Sequence, residues 1–340
     1  MRYPKFLPKN GTIGFVAPSF GCASEPYRTA FENAQKIFKE KGYSLDLGPN
    51  CYEDQGIGIS NTPKACAREL EKYYCSSRND ILISCGGGEM MCETIGEVDF
   101  QKLKEADPKW FMGYSDNTNL IFLLTTLCDT AGVYGPCAAS FGMEPWHESL
   151  FDAFGILTGK TQQVSGYPLW EMEGIKDENN PLAPYYVTEP RKLTLYPEKE
   201  IRMEGRLAGG CVDCLTTLLG TRLDQVEAFN EKYKEDGIVW FLECCDLNVW
   251  GIRRAMWQMK EAGWFRYAKG FLIGRPYCIG QEMMGLDHIR AVTDILGDLD
   301  VPIILDADLG HHPPMMPLVS GSMAVVEAKE NDIQISMEYR

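Results

Sequence analysis

Short, continuous apolar runs alternate with segments of helical period along the first half of this chain, and that alternation restricts the fold more than any other feature. Thr12 to Pro18 (TIGFVAP) reads as a buried strand and Tyr27 to Lys41 as an amphipathic helix. Ser44 to Leu47, a helix around Lys64 to Tyr74, and Asp80 to Ser84 (DILIS) continue the series, and Lys109 to Tyr114 (KWFMGY) supplies another strand. Runs of this length that are apolar on both faces belong inside a parallel sheet covered by helices on either side. Sites in such α/β sheets form beyond the carboxyl ends of the strands. Two sequence features fall at those ends: Cys85-Gly86-Gly87-Gly88 after DILIS, and Gly113-Tyr114-Ser115-Asp116 after KWFM.

Ser115 stands where a strand gives way to a helix marked by Leu120, Leu123, Leu124 and Leu127. A serine in such a turn carries its hydroxyl clear of the strand, beside first-turn amides able to hold an oxyanion. The plainer alternative is a Ser-Asp helix cap, because Ser, Asp, Asn and Thr are the residues that start helices. The three glycines let backbone amides approach an anion, a phosphate or a reaction oxyanion, or they form a tight turn and nothing more. Cys85 is a second nucleophile candidate at that strand end, with no base near it in sequence.

The segment from Gln162 to Glu204, rich in Pro, Glu and Tyr, reads as a linker with irregular strands. A new pattern follows it: a Gly-rich turn and apolar helix (GRLAGGCVDCLTTLLGT), a strand at Ile238 to Leu242, a helix at Val249 to Ala262, a strand at Gly270 to Ile273, and strands near Ile303 and at Met323 to Val326. The organisation expected is a Rossmann-like domain over 1–165, a linker or insertion over 166–204 and a C-terminal domain over 205–340. A chain of 340 residues is long enough for two such cores.

The formal charge of −15 argues against nucleic acid or an anionic membrane as partner, since no basic surplus exists to neutralise phosphates. No run reaches the ~18 apolar residues of a membrane span, and the amino terminus lacks the apolar centre of a signal peptide, so a cytoplasmic protein is expected. The 13 cysteines are expected as reduced, mostly buried thiols. Cys211 and Cys214 have CxxC spacing, but no second pair completes a zinc site, and His147, His288, His311 and His312 form no paired ligand motif with it. No metal or other cofactor is expected. Gly155 to Thr161 resembles a phosphate loop but has Phe154 where the first glycine belongs. Ser115-Asp116-Asn117 spells a β-lactamase triplet without its companion motifs.

A serine nucleophile needs a base, and the base needs an orienting acceptor. His147 and His288 lie in expected helices. His311 and His312 follow the strand at Ile303 in a loop, where catalytic residues gather. Glu243 ends the apolar strand IVWFL, either poised at a site or a plain strand-end charge.

Taken in order, GTIGFVAPS, CGGG, KWFMGYSDNTNL, EGRLAGG, IVWFLE with Ile252-Arg253-Arg254, and Gly310-His311 with Pro317-Leu318 and Gly321 resemble the LD-carboxypeptidases. These are serine peptidases that include murein tetrapeptide carboxypeptidases and microcin C immunity peptidases. The resemblance spans nearly the whole chain. It implies a class I glutamine-amidotransferase-like parallel-sheet domain, a C-terminal swivelling β/β/α domain, a cleft between them and a homodimer. It also implies Ser115 as nucleophile, His311 as base, Glu243 as the residue orienting the base, and an oxyanion hole formed by the amide of Asp116 with one from Gly86 or Gly87. The substrate is expected to be a small peptide or an aminoacyl nucleotide. Arg206, Arg253 and Arg254 are candidates for its terminal carboxylate. Trp170, Tyr185, Tyr186 and Tyr196 are candidates for stacking a base. Cys85 and Cys211 stand where the family usually has Arg and Asn. A non-hydrolytic nucleotide-binding or regulatory module built on Gly86 to Gly88 is the alternative.

Overall fold

The strand and helix runs of the first half assemble as their periods predict. The computed structural model describes all residues 1–340. In chain order they are β1 (Thr12–Val16), α1 (Tyr27–Glu40), β2 (Ser44–Leu47), α2 (Pro63–Tyr74), β3 (Ile81–Ser84), α3 (Met91–Glu97), α4 (Phe100–Glu105), β4 (Phe111–Gly113), α5 (Thr118–Thr126), β5 (Gly132–Tyr134) and α6 (Glu148–Leu157). The five strands pair in parallel in the order β5-β4-β3-β1-β2. Strands β3, β4 and β5 are buried along their whole length, which explains why their sequences do not alternate.

Helix α1 turns Ala30, Phe31, Ala34 and Phe38 inward, and Phe31 meets Phe15 of β1 edge to face at 5.2 Å. Helix α2 starts on Thr62, whose hydroxyl accepts from the Ala65 amide, with Pro63 in its first turn. Helix α5 buries eight of its nine residues, so it is a core element rather than a surface helix.

The remaining strands and helices are β6 (Gln163–Ser165), β7 (Leu169–Trp170), β8 (Glu189–Pro190), β9 (Thr194–Tyr196), β10 (Glu200–Cys211), α7 (Val212–Leu218), α8 (Val226–Lys232), β11 (Ile238–Glu243), α9 (Val249–Glu261), β12 (Ala268–Gly274), α10 (His288–Leu296), β13 (Ile303–Ala307), β14 (Leu318–Ser320), β15 (Met323–Lys329) and β16 (Asp332–Glu338). Eight of them form a mixed sheet ordered β6-β16-β15-β10-β11-β12-β13-β9, with a parallel centre from β10 to β13. Strands β7 and β8 form a separate antiparallel pair. The chain divides into two units, Met1–Thr161 with Glu173–Tyr186, and Gln162–Met172 with Val187–Arg340. The stretch 166–204, expected to stand apart as a linker, is thus shared out between the two.

One expectation of local structure needs correcting. The EGRLAGG stretch is not a turn but the second half of β10, and the helix begins only at Val212. Glycine serves close backbone approach there: a Cβ on Gly209, whose φ is +149°, would lie 1.8 Å from the Phe241 carbonyl oxygen of the neighbouring β11. Gly209→Ala is therefore expected to destabilise the protein by at least about 3 kcal/mol, read as a lowered urea midpoint, because backbone rather than a flexible side chain must move.

Candidate active site

In the first unit the sheet brings the two strand-end motifs together. Tyr114 is still extended (φ −146°), and Ser115 then swings to φ +61°, a left-handed conformation rarely adopted by a residue with a β-carbon. A single 3-10 turn, Ser115–Asn117, leads into α5. The cap positions of that turn and of α5 are Tyr114 and Asn117, so Ser115 does not occupy the capping position that the plainer reading required. Holding a serine in this region costs on the order of 1–3 kcal/mol, and such strain collects at functional sites.

The surroundings fix that turn. The Ser115 amide donates to the Tyr134 hydroxyl at 3.3 Å. Asn117 Nδ2 donates to the Gly86 carbonyl at 2.8 Å and to the Tyr114 carbonyl at 3.1 Å, which ties the glycine turn to the serine turn. A Cβ placed on Gly87 would lie 3.1 Å from both Cβ and Oγ of Ser115, so the backbone of Gly87 rests against the serine. The buried Asp116 carboxylate accepts from the Ser19 hydroxyl, the Met91 amide (2.8 Å) and Asn119 Nδ2 (2.9 Å). Its side chain is therefore a rivet between three segments. Cys85 is fully buried, and burial, followed by the neighbouring Cys22 and Cys51 thiols, holds its pKa well above the ordinary thiol value. Such a thiol is a poor nucleophile.

In the second unit Glu243, the last residue of β11, is fully buried, and its Oε2 lies 2.9 Å from Nδ1 of His311 in the loop after β13. A carboxylate only accepts, so Nδ1 carries the proton and Nε2 is the unprotonated nitrogen of the neutral ring. Gly310 makes this approach feasible: at φ +105° its missing Cβ would fall 2.7 Å from Glu243 Oε2. Burial by itself would lower the His311 pKa. The charge of Glu243 and hydrogen bonds to Glu243 and the Cys245 thiol outweigh burial and raise it well above the ordinary histidine value.

Several residues that position His311 and Glu243 carried no signal in the sequence. Arg275, buried, donates to the Asp306 carbonyl at 3.0 Å and to the Asp308 carboxylate at 2.5 Å, which secures the chain just ahead of His311. Asp213 accepts from the amides of Cys245 and Asp246, both at 3.0 Å, and so fixes the backbone beyond Glu243. These contacts cross 31 to 33 positions of sequence, beyond the reach of any local pattern. The CxxC spacing that drew attention to Cys211 and Cys214 encloses Asp213, to which the Cys211 thiol donates at 3.4 Å. No group of three or more His, Cys, Asp or Glu side chains is arranged to hold a metal ion.

The arginine candidates separate. Arg206 is buried and fully committed: it pairs with Asp236 at 2.5 Å, donates to the carbonyls of Gly321 and Arg340, and lies 4.1 Å over the Tyr233 ring. It pairs with Ile238 at the start of β11, five residues before Glu243, or roughly 16 Å along the strand. Substrate binding at Arg206 is therefore dropped. Arg253 joins α9 to α10 through Asp294 at 2.9 Å, and Arg254 is exposed on the same helix. Of the aromatic candidates, Trp170 is buried at 6% exposure, with Arg275 at 4.8 Å over its ring and His312 at 5.1 Å, and so offers no face to a ligand. Tyr185 packs on His147, while Tyr186 is 54% exposed. His147 caps α6, and His288 opens α10 with Nε2 at 2.8 Å from Asp306.

Comparison with known proteins gives a consistent result. Residues 13–135 match the LD-carboxypeptidase N-terminal domain and residues 204–326 the LD-carboxypeptidase C-terminal domain. The microcin C7 self-immunity protein MccF of Escherichia coli is 25% identical, over 96% of this chain and 94% of its own length. The structure of MccF in its wild-type apo state superposes with a TM-score of 0.82 at 20% identity, covering 100% of this chain and 99% of that one. An MccF-like protein from Bacillus anthracis gives 0.80 at 20% identity, covering 99% and 100%. No helix is long and apolar enough to cross a membrane.

Proposed function

The chain belongs to the LD-carboxypeptidase family, and on that premise we propose that it is a serine-type hydrolase that cleaves an amide bond in a small peptide carrying a free carboxylate. Ser115 is the nucleophile, His311 the base and Glu243 the residue that orients and compensates the imidazolium. The observation that carries this reading is the left-handed Ser115 at the end of β4, packed against Gly87. A serine held in this turn between a parallel strand and a helix has the geometry of a nucleophile elbow, and nothing in the helix's own capping requires it.

In the proposed reaction Nε2 of His311 takes the Ser115 hydroxyl proton as Oγ attacks the carbonyl carbon. The resulting oxyanion is held by the amide of Asp116 and that of Gly87 or Gly86. His311 then gives its proton to the leaving nitrogen, the C–N bond breaks, and an acyl-enzyme remains. Water, deprotonated by the same imidazole, releases the acid and restores the serine. Glu243 stays ionised throughout and keeps Nδ1–H directed away from the reaction.

MccF is described in complex with aspartyl sulfamoyl adenosine, glutamyl sulfamoyl guanosine and, as a Trp variant, adenosine monophosphate. Here the one tryptophan of the 163–204 segment, Trp170, is buried beneath Arg275, which favours a peptide over a nucleotide conjugate. Purified protein incubated with murein tetrapeptide is expected to release the terminal D-alanine, seen as the tripeptide mass, and to leave an aspartyl sulfamoyl adenosine intact. Cleavage of the nucleotide conjugate alone would reverse the substrate assignment, and inertness toward both would remove the hydrolase reading.

A further inference from the structure

The Cys211–Cys214 pair plays no part in the proposed chemistry, yet the fold sets it beside Glu243. Strands β10 and β11 are parallel neighbours joined through α7 and α8, and their register pairs Cys211 directly with Glu243. Cys211 ends β10 and is the N-cap of α7, and Cys214 is the third residue of that helix. The side chain of an N-cap residue leans over the second and third residues of its helix. Cys211 does so: its thiol donates at 3.4 Å to Oδ2 of Asp213, the second helical residue, and shares a hydrogen bond with the Cys214 thiol. A CxxC at the strand-to-helix junction of a βαβ unit is the arrangement of a redox-active dithiol. All 13 cysteines are free, so the pair stands in its dithiol form.

Asp213, enclosed by the two cysteines, connects them to the site. Besides the Cys211 thiol, its Oδ2 accepts from the Cys245 amide and its Oδ1 from the Asp246 amide, both at 3.0 Å. Only Cys244 separates those amides from Glu243, whose carboxylate holds His311. One carboxylate thus serves both a thiol of the pair and the backbone that carries Glu243. The sulfurs differ in access: Cys211 is buried at 2% exposure, whereas Cys214 is half-buried and is the one a reagent meets first.

We propose that Cys211 and Cys214 form a reversible dithiol–disulfide switch, closed by a small-molecule disulfide, that loosens the hold of Asp213 on the backbone beyond Glu243 and turns the hydrolase off. The regulatory part rests on the reading of Ser115, His311 and Glu243 as the catalytic residues. In the closing reaction the deprotonated Cys214 sulfur attacks one sulfur of the reagent and expels the other as a thiol. Cys211 then loses its proton, attacks the Cys214 sulfur and expels the second thiol. The protein dithiol gives up two protons and two electrons, and the reagent becomes two thiols. Closure removes the hydrogen that Cys211 donates to Asp213 and draws the first turn of α7 around that carboxylate, which then cannot keep all three donors.

Treatment with oxidised glutathione tests this. The tryptic peptide Leu207–Arg222 contains these two cysteines and no other. It is expected to become lighter by two hydrogens and inert to iodoacetamide, and dithiothreitol should reverse both changes. Amide hydrogen exchange at Cys245 and Asp246 should quicken in the oxidised protein. Labelling of Ser115 by an uncharged fluorophosphonate should slow by roughly tenfold or more, as expected when a catalytic group is misplaced by about an ångström. Cys214→Ser should label as fast as the unsubstituted protein under reducing conditions and ignore the oxidant, while Cys245→Ser should stay sensitive to it. Failure of the bridge to form, unchanged amide exchange, or slowing that persists in Cys214→Ser would each overturn the inference. The two levels separate in the reduced protein. If Ser115 labels there and labels equally fast after oxidation, the switch alone fails; if Ser115 never labels, the nucleophile reading fails, and bridge formation with amide exchange still decides the coupling.

Discussion

Ser115→Ala is expected to lower turnover of the cleaved peptide by roughly 10⁴-fold or more, with little change in stability. The size follows from the proposed role: without Oγ no acyl-enzyme could form, and only the proposed oxyanion donors and binding contacts would continue to act. The small stability effect follows from the backbone, because alanine meets the same left-handed penalty at φ +61° that serine does. Ser115→Gly sharpens the test. It should be equally inactive yet more stable by up to about 1 kcal/mol, since glycine adopts this conformation freely. Activity assays beside urea midpoints for the two variants would separate a strained nucleophile from an ordinary turn serine, whose replacement would spare turnover.

Glu243→Gln should reduce kcat/KM by roughly 10³- to 10⁴-fold while preserving the shape of the site, as expected when the group orienting a catalytic histidine loses its charge. Its diagnostic effect lies in the pH profile. In the unsubstituted protein the His311 pKa is raised well above the ordinary value, and the base acts only when neutral. Activity should therefore climb with pH through an inflection above 6.5. In Glu243→Gln the raising charge is gone while burial, which lowers the imidazole pKa, remains, so the inflection moves to lower pH even as the plateau falls. Stability follows the opposite course. A folded pKa above the unfolded one contributes stability that is complete below about pH 6.5 and is lost as pH rises through the folded His311 value. That contribution should disappear in the Gln variant.

The elements around Ser115 were legible because their signals are local. Ile81–Ser84 is a short apolar strand that ends just before the glycine turn, and Pro63 with Thr62 marks the start of α2. Family order, not local pattern, selected Glu243 and His311, and within the second unit the fold puts them 2.9 Å apart across 68 residues of sequence. Elsewhere local pattern misled. Glycines in EGRLAGG read as a turn, whereas Gly209 is in a strand because β11 approaches too closely for a side chain. Arg206 read as a ligand because arginines bind carboxylates, but Asp236, thirty residues away, already holds it. Long-range partners such as these, and the Arg275–Asp308 pair behind His311, are set by packing and leave no periodic trace.

The central claim is that Ser115 attacks with His311 as its base, although the two side chains belong to different units of the chain. Intact-mass analysis after treatment with an uncharged fluorophosphonate, followed by peptide mapping, tests it most directly. The account predicts a single adduct on Ser115, formed fastest above the His311 pKa and slowed at least 100-fold in His311→Ala. An adduct elsewhere, or labelling of Ser115 at an unchanged rate without His311, would contradict it.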